Sequence, residues 1–189
     1  TELLQKGKTM VLNAAHASWN VPELHSPEYT DPFCYSTVCE LATWISLQAD
    51  QVGTQMAQGG AISVRDCDLY RSGSSPDNWE ITYRCSNTHH LFYEFYPASA
   101  IGCTSSHHST KAGDEIYAAM TQLSGYYNIQ VSNQTDGYVC KSEGQYSYEA
   151  KASSFILELP ESMTLPAFFA VEMSDATVRL PRSTTKEPA

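Results

Sequence analysis

Apolar and polar residues alternate with a period of two in several short stretches of this chain. Hardly anywhere do they follow the period of a helix. Thr43, Ile45 and Leu47 fall on one side of their segment, and Trp44, Ser46 and Gln48 fall on the other. Leu91, Tyr93 and Phe95 oppose Phe92, Glu94 and Tyr96 in the same way. Strand side chains alternate between faces, so each stretch predicts a strand with two differently used sides. Residues 153–161 read alike and are closed by Pro160. Phe155, Leu157 and Leu159 share a face suited to a core, while Ser154, Ile156 and Glu158 share the other.

Further strands are predicted over 9–21 (with an irregularity near His16), 40–50, 56–64, 79–85, 115–123, 165–173 and 176–180. A hairpin over 126–140 is expected to turn around Asn133-Gln134-Thr135-Asp136-Gly137. The pair Gly59-Gly60 interrupts the 56–64 stretch, as at a bulge or a close backbone approach. Proline and turn formers predict loops at 22–38, 70–78 and 98–113, and a turn at 86–89. Ten or more short strands without a convincing helix form the pattern of a sandwich or barrel. The expectation is one all-β domain over 1–180, followed by a solvated tail at 181–189.

Composition agrees with that class. The 189 residues include 12 Tyr, 10 Gly and 9 Pro, and only 17% are charged. The length suffices for one sizeable core. A net charge of −10 disfavours nucleic acid and anionic membrane as partners. It also limits the chain's self-repulsion as a polycation in acid. No stretch is apolar enough for a signal peptide or a transmembrane span, and Thr1 reads as a processed or trimmed start. The chain is expected to be a monomer.

Six cysteines stand at 34, 39, 67, 85, 103 and 140, with no CxxC spacing among them. An even number in such a chain points to disulfides and to a secreted or otherwise oxidising location. Fifteen connectivities are formally open; Cys34–Cys39, Cys67–Cys85 across a hairpin, and Cys103–Cys140 are expected. Asn133-Gln134-Thr135 is a sequon, which makes Asn133 a candidate glycosylation site.

The candidate chemistry lies in carboxylates set within apolar strands. Glutamate is depleted in strands, and a shielded carboxyl is costly to ionise. Glu158 and Glu94 are the two such acids, although an acid on a solvated sheet face is the commonplace alternative. His89-His90 and His107-His108 cannot chelate as adjacent pairs on a strand, so neither a metal nor any other cofactor is expected. There is no Gly-x-Ser-x-Gly elbow, no GxGxxG and no phosphate loop. Glu94 and Glu158 could also serve as the paired acids of a glycosidase sandwich, with Phe92 and Tyr96 against a sugar.

Several stretches, taken in order, resemble the fungal glutamic peptidases, the eqolisins of peptidase family A4. Ser18-Trp19-Asn20-Val21-Pro22 is similar to that family's Thr-Phe-Thr-Val-Pro, and Trp44-Ile45-Ser46-Leu47 to its Trp-Val-Gly-Ile. Met56-Ala57-Gln58-Gly59-Gly60 resembles Ile-Leu-Gln-Thr-Gly, and Tyr93-Glu94-Phe95-Tyr96-Pro97 resembles Tyr-Glu-Trp-Tyr-Pro. Ala112-Gly113-Asp114-Glu115-Ile116, Val131-Ser132-Asn133-Gln134-Thr135 and Ala170-Val171-Glu172-Met173-Ser174-Asp175 match further family strands and turns. Phe155-Ile156-Leu157-Glu158 resembles Phe-Ile-Ile-Glu.

The resemblance spans roughly residues 17–178. It implies a concanavalin A-like β-sandwich of two antiparallel sheets, with a substrate groove on the concave face of one. It also implies a secreted, acid-active endopeptidase with Gln58 and Glu158 as its catalytic dyad. Trp44, Phe92, Glu94 and Tyr96 would contact a polypeptide or small-molecule substrate. A repurposed enzyme performing a cyclisation or isomerisation, or a non-catalytic carbohydrate-binding sandwich, are the alternative readings. The chain departs from the family at Gln48, where the family has Asp, and at Ser153-Ser154, where it has Ala-Glu. Val52 stands where the family has a cysteine, and its N-terminal Asn-Trp-Gly-Gly has no counterpart.

Overall fold

The stretches that alternate in the sequence are the ones that pair into sheets. The computed structural model describes residues 4–5, 8–9, 11–25, 39–50, 53–74, 78, 80–103, 108–123, 125–158, 167–168 and 171–180. Among these residues there are fourteen strands and no α-helix. One five-stranded antiparallel sheet runs in the order β11 (Tyr138–Gln145), β10 (Tyr126–Asn133), β9 (Glu115–Leu123), β3 (Ala14–Asn20) and β14 (Met173–Arg179). The other runs β12 (Ala152–Glu158), β5 (Cys39–Gln48), β6 (Met56–Ser72), β7 (Glu80–Tyr96) and β8 (Ile101–Cys103). Two short pairs complete the set: β1 (Leu4–Gln5) with β2 (Lys8–Thr9), and β4 (Leu24–His25) with β13 (Ala167–Phe168).

The sheets pack as a sandwich. Ile45, Leu47, Ala57, Ala61 and Leu91 of the second sheet meet Trp19, Ile116, Met120, Ile129 and Val131 of the first in one core. Each large apolar side chain so buried contributes roughly 1.5–3 kcal/mol. The glycine pair serves a close approach without breaking the pairing, since both neighbours of β6 keep a continuous register through it. A Cβ at Gly59 would stand 2.7 Å from Val131 Cγ2 of the facing sheet. One at Gly60 would stand 2.0 Å from the carbonyl oxygen of Thr43 on β5.

Several local expectations are corrected. Residues 86–89 are not a turn but the middle of β7, a strand that runs unbroken from Glu80 to Tyr96. Ser86, Asn87, Thr88 and His89 pair in sequence with Asp66, Arg65, Val64 and Ser63. A partner strand of equal length satisfies their backbone groups and overrides their turn propensity. The expected loop 98–113 contains the edge strand β8. The irregularity near His16 lies on its neighbour: β14 shifts register between Ser174 and Thr177, where Asp175 has φ 51°. Phe155 packs against the core, but Leu157, placed on the same face, is 42% exposed. Leu159, Cys34, His107 and the tail 181–189 lie outside the described residues.

Two of the expected disulfides form, Cys67–Cys85 and Cys103–Cys140. Cys39 is disulfide-bonded as well. These bonds are those of a chain matured in an oxidising environment.

Candidate active site

The outer face of the second sheet carries the site. Residues opposite one another across β12, β5, β6 and β7 form rows, and three of them matter. The first is Ser154, Ser46, Gln58 and Glu94. The second is Ile156, Trp44, Gly60 and Phe92. The third is Glu158, Ala42, Ile62 and His90. In the middle row the bare backbone of Gly60 separates Trp44 from Phe92. A small apolar cluster of Ala42, Trp44 and Phe92, backed by Met56, Ile62 and Ile156, lines this face apart from the sandwich core. Together with Gln58, Glu94, Tyr96, Ala100 and Glu158, most of it encloses a groove of about 380 Å³.

All six site residues singled out in the sequence, Trp44, Gln58, Phe92, Glu94, Tyr96 and Glu158, line this one groove. Each potential catalytic group has its own holder. The Trp44 indole Nε1 donates to Glu158 Oε2 at 2.7 Å. The Gln58 amide donates through Nε2 to Glu94 Oε2. Gln58 is 7% exposed, and its Oε1 accepts no hydrogen bond among the described residues. Gln58 can therefore offer a reacting group its second N–H and an unsatisfied carbonyl oxygen.

The electrostatics differ from the expectation in one respect. The shielded acid is Glu94, whereas Glu158 is exposed. Burial pushes the Glu94 carboxyl above the usual carboxylate range, the hydrogen bond from Gln58 opposes that rise, and the charge of Glu158 adds to it. The cause is position in the sheet. β7 has a neighbour on both sides, whereas β12 is the outermost strand and pairs only with β5.

Alternation alone could have added Ala42, Met56 and Ile62 to the site, because they share the parity of Trp44 and Gln58. Nothing local pointed to Ala100, which reaches the groove beyond the turn after Tyr96. A polar network borders the first row as well. Gln48 Nε2 donates to Ser46 Oγ at 2.8 Å and to Ser154 Oγ at 2.9 Å, and Ser153 Oγ donates to the Ser46 carbonyl at 2.7 Å. Gln48 and Ser154, two of the positions that depart from the family pattern, thus touch each other.

His90 shares the face of the groove, whereas His89 and His108 lie apart from this chemistry. His89 faces the other way, with Nδ1 2.8 Å from Ser63 Oγ, and His108 stacks on Tyr138 with ring centroids 5.0 Å apart. No group of three or more His, Cys, Asp or Glu side chains comes together as a metal site among the described residues.

Asn133 is 1% exposed. Its Nδ2 donates to Asp114 Oδ2 at 2.6 Å, and its Oδ1 accepts from the backbone N–H groups of Thr135 and Asp136. The residue ties the β10–β11 turn to the strand entering at Asp114, and its amide nitrogen points inward.

The model of the Peptidase A4 family matches residues 4–188. Curated protein sequences contain no match to the chain. Among solved structures, scytalido-glutamic peptidase with a transition state analog inhibitor superimposes with a TM-score of 0.61 at 18% identity, covering 90% of this chain and 76% of that one. SCP-B, a member of the eqolisin family of peptidases in complex with the tripeptide Ala-Ile-His, gives a TM-score of 0.58 at 16% identity, covering 92% and 76%. At these identities the likeness is one of fold.

Proposed function

The chain belongs to the peptidase A4 family, and on that premise we propose that it is a glutamic-type endopeptidase that hydrolyses peptide bonds with Gln58 and Glu158. The observation that carries this reading is the pairing of each group with a holder in one groove: Trp44 on Glu158, Glu94 on Gln58. Glu158, exposed to solvent yet oriented by the indole, takes a proton from a water as that water attacks the scissile carbonyl carbon. The carbonyl oxygen gains the negative charge, and the free N–H of Gln58 donates to it. Such a donor is worth roughly 3–4 kcal/mol of transition-state stabilisation. Glu158 then delivers the proton to the leaving amine as the C–N bond breaks. The apolar wall of Trp44, Phe92, Met56 and Ile62 seats substrate side chains.

The disulfides and the acidic composition fit a secreted enzyme working in acid. The deciding experiment incubates the protein with a denatured polypeptide from about pH 2 to about pH 7, beside Glu158→Gln. Cleavage by the wild type only, strongest on the acid side, is expected. No cleavage at any pH would refute the reading and direct attention to small molecules or glycans.

A second reading is favoured by the burial of Glu94: as the shielded carboxyl, it could itself be the acid–base group. An inactive Glu94→Gln beside an active Glu158→Gln would establish that assignment.

A further inference from the structure

The two longest strands extend well past the sheet that holds the groove. β5 pairs with β6 only as far as Arg65, opposite Cys39. From Asp66 opposite Ser86 to Ser72 opposite Glu80, seven further pairs continue as a two-stranded ribbon. At about 3.3 Å per residue, the ribbon adds roughly 20 Å to the sheet.

Its two faces are used differently. The face that continues the core side is fastened at its base. Cys67–Cys85 crosslinks the strands, and Cys67 is 7% exposed. Arg65 Nη1 and Asn87 Nδ2 both donate to the Leu24 carbonyl, at 3.3 and 2.9 Å. The opposite face has the parity of Gln58, Ile62, His90 and Glu94, so it prolongs the floor of the groove. There Asp66, Asp68, Tyr70, Glu80 and Arg84 are all exposed.

The Arg84 guanidinium lies 4.1 Å from the centroid of the half-exposed Tyr70 ring, a cation–π contact across the two strands. Asp66, Asp68 and Glu80 form no ion pair among the described residues. Three carboxylates against one guanidinium leave the face negative wherever they are ionised, continuing the acidic groove that holds Glu158.

We propose that this face of the ribbon is a secondary substrate-binding surface. It takes the polypeptide chain leaving the groove past Ile62 and favours substrates carrying lysine or arginine on that side. The inference rests on the peptidase reading above and deepens it. The occupant follows from continuity with the groove and from charge. An extended peptide rising about 3.3 Å per residue reaches from Ile62 to Tyr70 in about eight residues. Rim charges of this kind act through attraction in solvent and weaken with salt.

The test compares a short peptide that the enzyme cleaves with versions extended by about eight residues at either end, rich in lysine or in glutamate. The basic extension at one end is expected to raise kcat/KM about tenfold through KM, and added salt should abolish the gain. The triple variant Asp66→Asn, Asp68→Asn, Tyr70→Ser should lose the gain, yet cleave the short peptide at the wild-type rate and keep its melting temperature. A gain that survives in the variant, or no gain for any extension, overturns the proposal. Fluorescence anisotropy of the same peptides on Glu158→Gln, with and without the ribbon substitutions, reads binding without catalysis. If no peptide is cleaved, the peptidase reading fails; equal binding of lysine-rich and glutamate-rich peptides then overturns the ribbon proposal separately, while tighter lysine-rich binding lost with the substitutions upholds it.

Discussion

Two side chains in the groove are each held by one hydrogen bond, and their substitutions should fail in different ways. Glu158→Gln keeps the shape and an acceptor for Trp44 Nε1 but removes the base, so kcat should fall to background while KM changes little. Gln58→Ala removes the donor to the oxyanion and should cost on the order of 10²–10³ in kcat. Single-turnover assays on the two variants separate these effects. Glu94 makes a further statement, about stability. Burial raises its carboxyl above the ordinary range, so the folded state favours the protonated form. The stability this contributes is complete below about pH 4 and is lost as pH rises through the raised value. Glu94→Gln keeps an acceptor for Gln58 and does not titrate. Thermal melts should therefore show the wild type losing ground to this variant between acid and neutral pH; a constant difference would refute the shift.

Among the elements, the β10–β11 hairpin depends most on one side chain. Asn133 is buried, bonds Asp114 through Nδ2 and accepts two backbone N–H groups through Oδ1. Asn133→Ala leaves these partners unsatisfied and is expected to cost about 2–3 kcal/mol, read from denaturant unfolding. The same side chain is only 1% exposed. Protein from a glycosylating host should show no mass change at Asn133 on treatment with an N-glycosidase. At the β5–β6 pairing, Gly60→Ala would force a Cβ to 2.0 Å from the Thr43 carbonyl oxygen. The strands must separate there, so stability and activity should fall together.

For the molecule as a whole, acid tolerance is set by opposing groups. Burial of His89 lowers its pKa, with Asp114 opposing and His90 reinforcing, and His90 is lowered by its own burial against the pull of Glu40. A histidine kept neutral by the fold supports stability above its unfolded value of about 6.5, and that support is lost as pH falls through the depressed value. This slope opposes that of Glu94. His89→Asn should therefore melt with less acid sensitivity than the wild type, by a few degrees between about pH 6.5 and about pH 4. Equal acid slopes in the two proteins would show that His89 carries no such load.

What the sequence determined by itself was which side chains share a face. Alternation is a property of one extended strand, needing no partner, and it already grouped Glu94 with Phe92 and Tyr96 and separated Trp44 from Ile45. The tertiary structure decided which strands are neighbours and in what register. Only that brings Trp44 beside Glu158, 114 residues away, and Gln58 beside Glu94. It also decided which acid is shielded, because solvent exclusion depends on neighbouring strands and not on a residue's own segment. Glu158 sits on the outer strand and is open to water, while Glu94 lies on an inner strand. Residues 86–89 carry the same lesson: their composition suits a turn, and a long partner strand across from them makes them extended.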